Sequence, residues 1–159
     1  MGVDSKLYEL VLVLHILAVV IGFGGMFISG FYGNEAAKLP GREGLAVAET
    51  TMKVTALAPT MAVYSVPILG ILLILLSDDT WKFSEAWVGM SIALYVVLLV
   101  LAITVQVPNI RKMIALRAGA DGAQPLEMQK LGKTAATVGA IVNVLWVVVV
   151  FLMVFKPGH

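Results

Sequence analysis

The sequence predicts an all-α integral membrane protein, a bundle of four transmembrane helices with both termini on the non-cytoplasmic side. Three observations carry this. Hydrophobic residues make up 60% of the chain and charged residues 13%, about half the charged share of a soluble domain. Mean hydropathy is +0.96. Four apolar stretches, at about 7–31, 54–76, 87–107 and 137–155, each approach the roughly 20 residues that carry a helix across about 30 Å of hydrocarbon. The third observation is the distribution of cations. Lys38, Arg42, Lys53, Arg111, Lys112, Arg117, Lys130 and Lys133 fall in the first and third links, whereas Lys6, Lys82 and Lys156 fall at the termini and in the second link. Under the positive-inside bias, the richer side is cytoplasmic.

The chain reads as one four-helix unit, residues 1–159. Its first stretch is about twice the length of a signal-peptide core and follows a single Lys, so it is expected to be retained. The link "GNEAAKLPGREG" ends the first span, and "AVAETTMK" leads helically into the second, where Pro59 and Pro67 predict kinks. "SDDTWKFSEAW" is a short acidic connection whose Trp81 and Phe83, with Trp87, are expected in the outer aromatic belt. "PNIRKMIALRAGADGAQPLEMQKLGK" reads as the third link, with Gln106 just ahead of it at the membrane surface and Pro125 suited to a first helical turn.

His15 is the only histidine inside an apolar run. At about 100° per residue, Ala18, Gly22, Gly25 and Ser29 share its face within roughly 80°, and Tyr8 extends the stripe outward. This face leaves two readings open. In one, small residues let a neighbouring helix approach, and His15 donates a hydrogen bond to Tyr95 or Asn143. In the other, His15 ligates a metal, most simply the iron of a b-type haem, with Gly22 and Gly25 forming the slot and Tyr95 and Asn143 facing the group. An ionisable side chain in a span is also a candidate for proton relay or ligand binding. Counted at about 1.5 Å per residue, His15 and Tyr95 both lie some 12–13 Å from the outer surface. For a second axial ligand the sequence offers His159, Met90 or Met153, or a His15 from each of two chains; five-coordinate iron would satisfy it as well, and it favours none of these.

Other chemistry has little to stand on. Cysteine is absent, which removes disulfides and thiolate sites. No acidic residue lies deep in a span, as a pump or proton-coupled transporter would need, and no hydrolase spacing is present. The methionines do not cluster as a soft copper site. No basic cluster interleaved with aromatics exists to bind nucleic acid. Intramembrane Ser and Thr are expected to bond their own backbone.

In "LHILAVVIGFGGMFISGFYGNEAAK", "YSVPILGILLIL", "SDDTWKFSEAWV", "PNIRKMIAL" and "FKPG" the chain resembles, over nearly its whole length, a predicted integral membrane protein family designated domain of unknown function 2269. Through the Leu-His and Gly-Gly pattern of the first span it is distantly similar to copper-resistance protein D and the HemJ-type protoporphyrinogen oxidases. The HemJ resemblance implies haem b on a first-helix histidine, which only His15 matches. Those proteins also carry a lysine within a later helix. This chain has none there, so the resemblance implies a fold rather than that oxidase activity. The functional expectation is a multi-pass plasma-membrane protein that holds haem b through His15 for electron transfer. The alternative is a non-catalytic accessory subunit of a larger respiratory or photosynthetic complex. Expected partners are membrane lipid and either a second copy or that complex; whether the chain is an enzyme stays open.

Overall fold

A computed structural model describes residues 2–119 and 125–158, all of whose regular structure is helical. Among the described residues, four helical segments are long and apolar enough to span a membrane. Most of their surface is exposed: Leu10, Val20, Phe31, Val144 and Val154 are each more than half accessible. That is the expectation for helices whose outer faces meet acyl chains instead of water.

The first segment is α1, Lys6–Lys38. Ser5 caps it by accepting from the Tyr8 amide at 3.3 Å, and the Lys6–Glu9 and Glu35–Lys38 ion pairs sit at its two ends. It stops where Leu39, preceding Pro40, is forced into extended geometry (ψ 140). Gly41, at φ +44, supplies the left-handed turn into α2, Gly41–Ala56. The helical lead expected at 46–53 is therefore a full helix, which breaks at Leu57 before α3, Ala58–Leu76.

The α3–α4 connection is organised by Ser77, which is fully buried. Its hydroxyl donates to the Ile74 carbonyl at 2.8 Å and accepts from the Trp81 amide at 3.0 Å, while Asp78 and Asp79 take left-handed backbone (φ 54 and 63). Helix α4 comes next, Ala86–Leu101, then a π-helical turn, Ala102–Gln106, and α5, Val107–Ala118. The stretch expected to begin a connecting link at Pro108 instead prolongs the third span as helix. The last element, α6, runs Pro125–Phe155, with the expected proline in its first turn.

In the bundle α1 lies along α3 and α2, and α4 lies along α6. The two pairs share a core of Ala18, Val63, Val66, Tyr95, Leu98, Val142 and Trp146. Trp146, 1% exposed, is its hub, with Phe23 5.7 Å away and Tyr95 edge-on at 5.4 Å. A smaller cluster of Tyr8, Val11 and Leu73 lies toward the end that carries both termini and the α3–α4 connection. Trp81 packs on it and donates from its indole to the Tyr8 hydroxyl at 3.1 Å. Trp87, expected in the interfacial belt, is 5% exposed and meets Trp81 edge to face at 5.8 Å.

Three prolines fall within the spans, and each removes an N–H that the carbonyl four residues earlier needs. Pro67 frees the Val63 carbonyl, and the Tyr95 hydroxyl donates to it from α4. Pro59, in the first turn of α3, cannot close the Thr55 carbonyl that the end of α2 leaves open, and the Thr60 hydroxyl takes it at 2.7 Å. Pro108 cannot donate to Thr104, and immediately before it the helix widens into the π-helical turn, where the Val107 amide reaches back to Ala102. Other hydroxyls bond their own helix as expected, among them Ser29, Ser65, Ser91 and Thr104.

Tyr95→Phe is expected to lower bundle stability by about 1 kcal/mol, seen as a lower midpoint in thermal unfolding of detergent-solubilised protein. In a Pro67→Ala background, whose restored amide satisfies Val63, the same substitution is expected to cost clearly less. Equal costs in both backgrounds would remove the assigned link between Tyr95 and the proline.

Candidate functional site

The candidate site is the seam between α1 and α3, which run antiparallel so that ascending positions of one meet descending positions of the other. Near the middle of the first span His15 faces Gly70; deeper, Gly22 faces Val63 and Gly25 faces Pro59. A Cβ built on Gly22 would stand 3.0 Å from Val63 Cγ2 and 3.2 Å from the Val63 backbone nitrogen. One built on Gly25 would stand 2.5 Å from Pro59 Cγ, inside contact distance of a stiff ring. The bare strip of α1 is therefore filled by α3 itself. Gly22 and Gly25, expected as a cofactor slot, are positions at which α1 and α3 approach closely, Gly22 against Val63 and Gly25 against Pro59.

His15 occupies a distinct layer. Its ring is half-buried, and a Cβ on Gly70 would be 3.3 Å from its Cε1 and 3.8 Å from its Nδ1. Nδ1 is buried without a hydrogen-bond partner. The Val66 carbonyl acts on the ring from one turn below Gly70 but does not meet hydrogen-bond geometry. The layer lies between the two apolar clusters: on these helices the larger ends at Ala18 and Val66, the smaller begins at Val11 and Leu73, and Leu69 packs against both. The imidazole thus interrupts an otherwise apolar interior.

The partners expected for His15 lie elsewhere. Tyr95 is buried with its hydroxyl on the Val63 carbonyl, not on the imidazole. Asn143 is half-buried on α6 and bonds neither His15 nor Tyr95. Pro67 explains the first departure, because the orphan carbonyl it leaves is the stronger claim on a buried phenol. Of the residues considered as a second axial ligand, Met153 packs against the larger core, Met90 is 46% exposed, and His159 lies outside the described residues.

A second polar seam joins the third span to α6. Gln106 Nε2 donates to the Ala135 carbonyl at 3.3 Å and Asn109 Nδ2 to the Leu131 carbonyl at 2.7 Å. Gln106, expected at the membrane surface, is part of a helix–helix contact, with its Oε1 buried and unpartnered. The π-helical turn rotates α5 relative to α4 and lets Gln106 and Asn109 address the same stripe of α6.

Gly70 and Val63, absent from the candidates drawn from the sequence, carry readable signals there. Gly70 stands three residues beyond Pro67, where an unsubstituted backbone beside a kink invites a close neighbour. Val63 is four residues before the same proline, so its carbonyl is identifiable as one in need of a donor.

Gly25→Ala is expected to force Pro59 and α3 outward at a cost of about 1–3 kcal/mol. Gly24→Ala, at a position with nothing within 4 Å, is expected to be near neutral. Thermal unfolding of the two variants in one detergent compares them, and equal stabilities would contradict the described seam.

No curated protein and no solved structure matches the chain, so the likeness to copper-resistance protein D and HemJ-type oxidases rests only on the Leu-His and Gly-Gly pattern. A family model described as "Predicted integral membrane protein (DUF2269)" matches residues 9–157, nearly the whole of both core clusters and all four spans. The chain belongs to this family of predicted integral membrane proteins.

Proposed function

We propose that the protein is a non-catalytic accessory subunit of a larger membrane assembly, inserted in the plasma membrane with both termini outside the cytoplasm. One observation carries this reading: the glycine face that could have admitted a ligand is consumed by packing against Pro59 and Val63. The polar groups obey the same logic. Tyr95, Gln106 and Asn109 all spend their donors on carbonyls of neighbouring helices. At the same time Gly24, Gly30, Gly89 and Gly132 face open space, and small outward residues are where a partner's transmembrane helix can approach. The sidedness rests on the eight cations of the first and third links against the three at the opposite end.

A second reading keeps a redox role through a b-type haem on His15. The observation in its favour is the buried, unpartnered Nδ1 between the two apolar clusters. In this reading α1 and α3 part where Gly22 and Gly25 pack on Val63 and Pro59, to admit the group.

Extraction in mild detergent and then native electrophoresis tests the first reading, with co-migration with larger partners expected. A lone 17.0 kDa species or a simple homo-oligomer counts against it. A reduced-minus-oxidised visible spectrum of the same material, beside His15→Ala, tests the second. The accessory reading expects no haem band in either sample and an intact fold in the variant; a band lost in His15→Ala with the fold intact would replace it with the redox reading.

A further inference from the structure

We propose that Trp81, Trp87 and Glu85 form a binding site for an alkylammonium group, which the side chain of Lys156 occupies from within the same chain. The two indoles stand almost perpendicular, at 85° with centroids 5.8 Å apart, and so make a corner that offers a π-face to a cation on two sides. Lys156 Nζ lies 3.5 Å above the Trp81 ring centroid and 5.8 Å from that of Trp87. Both lie within the roughly 6 Å over which a ring quadrupole attracts a cation, and tryptophan is the strongest of the aromatic partners.

The corner is built independently of its occupant. Trp81 is held by its indole bond to Tyr8 and its amide bond to Ser77. Trp87 is buried and donates to the Glu85 carboxylate, whose other oxygen accepts from the Lys82 amide at 3.0 Å. Glu85 thus supplies a fixed negative charge beside the rings, and its field favours the charged form of Lys156 while burial pushes that amine below the usual lysine range. The cation is placed at some backbone cost. Lys156 ends α6 in left-handed geometry, φ 44, its amide on the Leu152 carbonyl at 2.9 Å, a position where glycine is the ordinary choice. A non-glycine residue held there implies a compensating contact, and the two indoles provide it.

The site therefore recognises an organic cation by ring faces plus one carboxylate, the chemistry used for quaternary ammonium groups. Lys156 is a tethered competitor that closes the site and ties the end of α6 to the α3–α4 connection. An external ammonium, from a lipid headgroup or a soluble amine, enters by displacing it. Because a tethered group competes at high local concentration, the vacated site is expected to bind external cations several-fold more tightly than the occupied one.

The test reads the reactivity of Lys156 toward an acylating reagent, quantified by mass spectrometry on the full-length protein. Choline added in detergent is expected to raise labelling of Lys156 saturably and leave Lys6 and Lys82, at the same end of the bundle, unchanged. Nanodiscs of phosphatidylcholine, compared with phosphatidylglycerol, distinguish the lipid source: higher Lys156 labelling in the former alone assigns the site to headgroups. Trp81→Leu is expected to give high labelling that no longer responds to choline. Should that variant misfold, Lys156→Met serves instead, binding choline with a saturable change in tryptophan fluorescence at several-fold lower concentration than the parent chain. No saturable response in either arm, or an equal response at Lys6 and Lys82, overturns the proposal.

Discussion

The whole bundle depends on carbonyls that proline leaves without a partner in a medium that has no water to offer. An unsatisfied backbone group in hydrocarbon costs several kcal/mol by order of magnitude, so each intramembrane proline must be answered locally. The three are answered differently. Thr60 closes the Thr55 carbonyl within one chain segment, a π-helical turn absorbs Pro108, and Tyr95 reaches from α4 to the Val63 carbonyl. Only the last ties two spans together. It fixes the height of α4 against α3, and with it the place of Trp146, which stacks edge-on against the same phenol ring.

The second span, broken at Leu57 and carrying two prolines, then determines what α1 can be. Pro59 and Val63, the residues at and between the two prolines, are those that press into Gly25 and Gly22. Glycines on one helix and proline-directed bulges on the other are complementary halves of one contact. Dispersion and close approach hold it, because lipid tails supply no hydrophobic drive for helices to associate. At the His15 layer the complement changes: Gly70 recedes, the imidazole fills the space, and one ring nitrogen is left without a partner.

The four spans and the helical start at Pro125 were legible because length and hydropathy are properties of the chain alone. The shared face of His15, Gly22 and Gly25 was legible as well, since helical periodicity places it. What occupies that face was not, because a strip without side chains is equally suited to a backbone and to a flat ligand, and the choice belongs to α3. The partners of Trp87 were likewise not legible, because Trp81 and Glu85, which meet its ring and N–H, are set by the folded α3–α4 connection. The residues from 108 onward look like a loop because they are charged and begin with proline. Proline is tolerated near the start of a helix, and the charges lie on α5, which continues the helix of the third span to Ala118.

Helices that outrun the hydrocarbon also explain why the two ends of the bundle are built from different forces. Helix α1, with 33 residues, is about 50 Å long against a hydrocarbon core of about 30 Å, so its final turns stand in the headgroups and beyond. There water competes for every polar group, and ordinary hydrogen bonds do little to set helix spacing. The chain uses a charge-assisted one: Arg117 at the end of α5 donates to the Ala36 carbonyl at 2.7 Å, one of the four that α1 leaves open at its C-terminus. A Cβ on Gly44 would lie 2.5 Å from that oxygen and 2.9 Å from the guanidinium. Glycine at the start of α2 therefore lets three helices converge on one carbonyl. The opposite end is closed by stacked indoles and a buried serine. A cation clamps each end, Arg117 on a backbone oxygen at one and Lys156 on aromatic faces at the other.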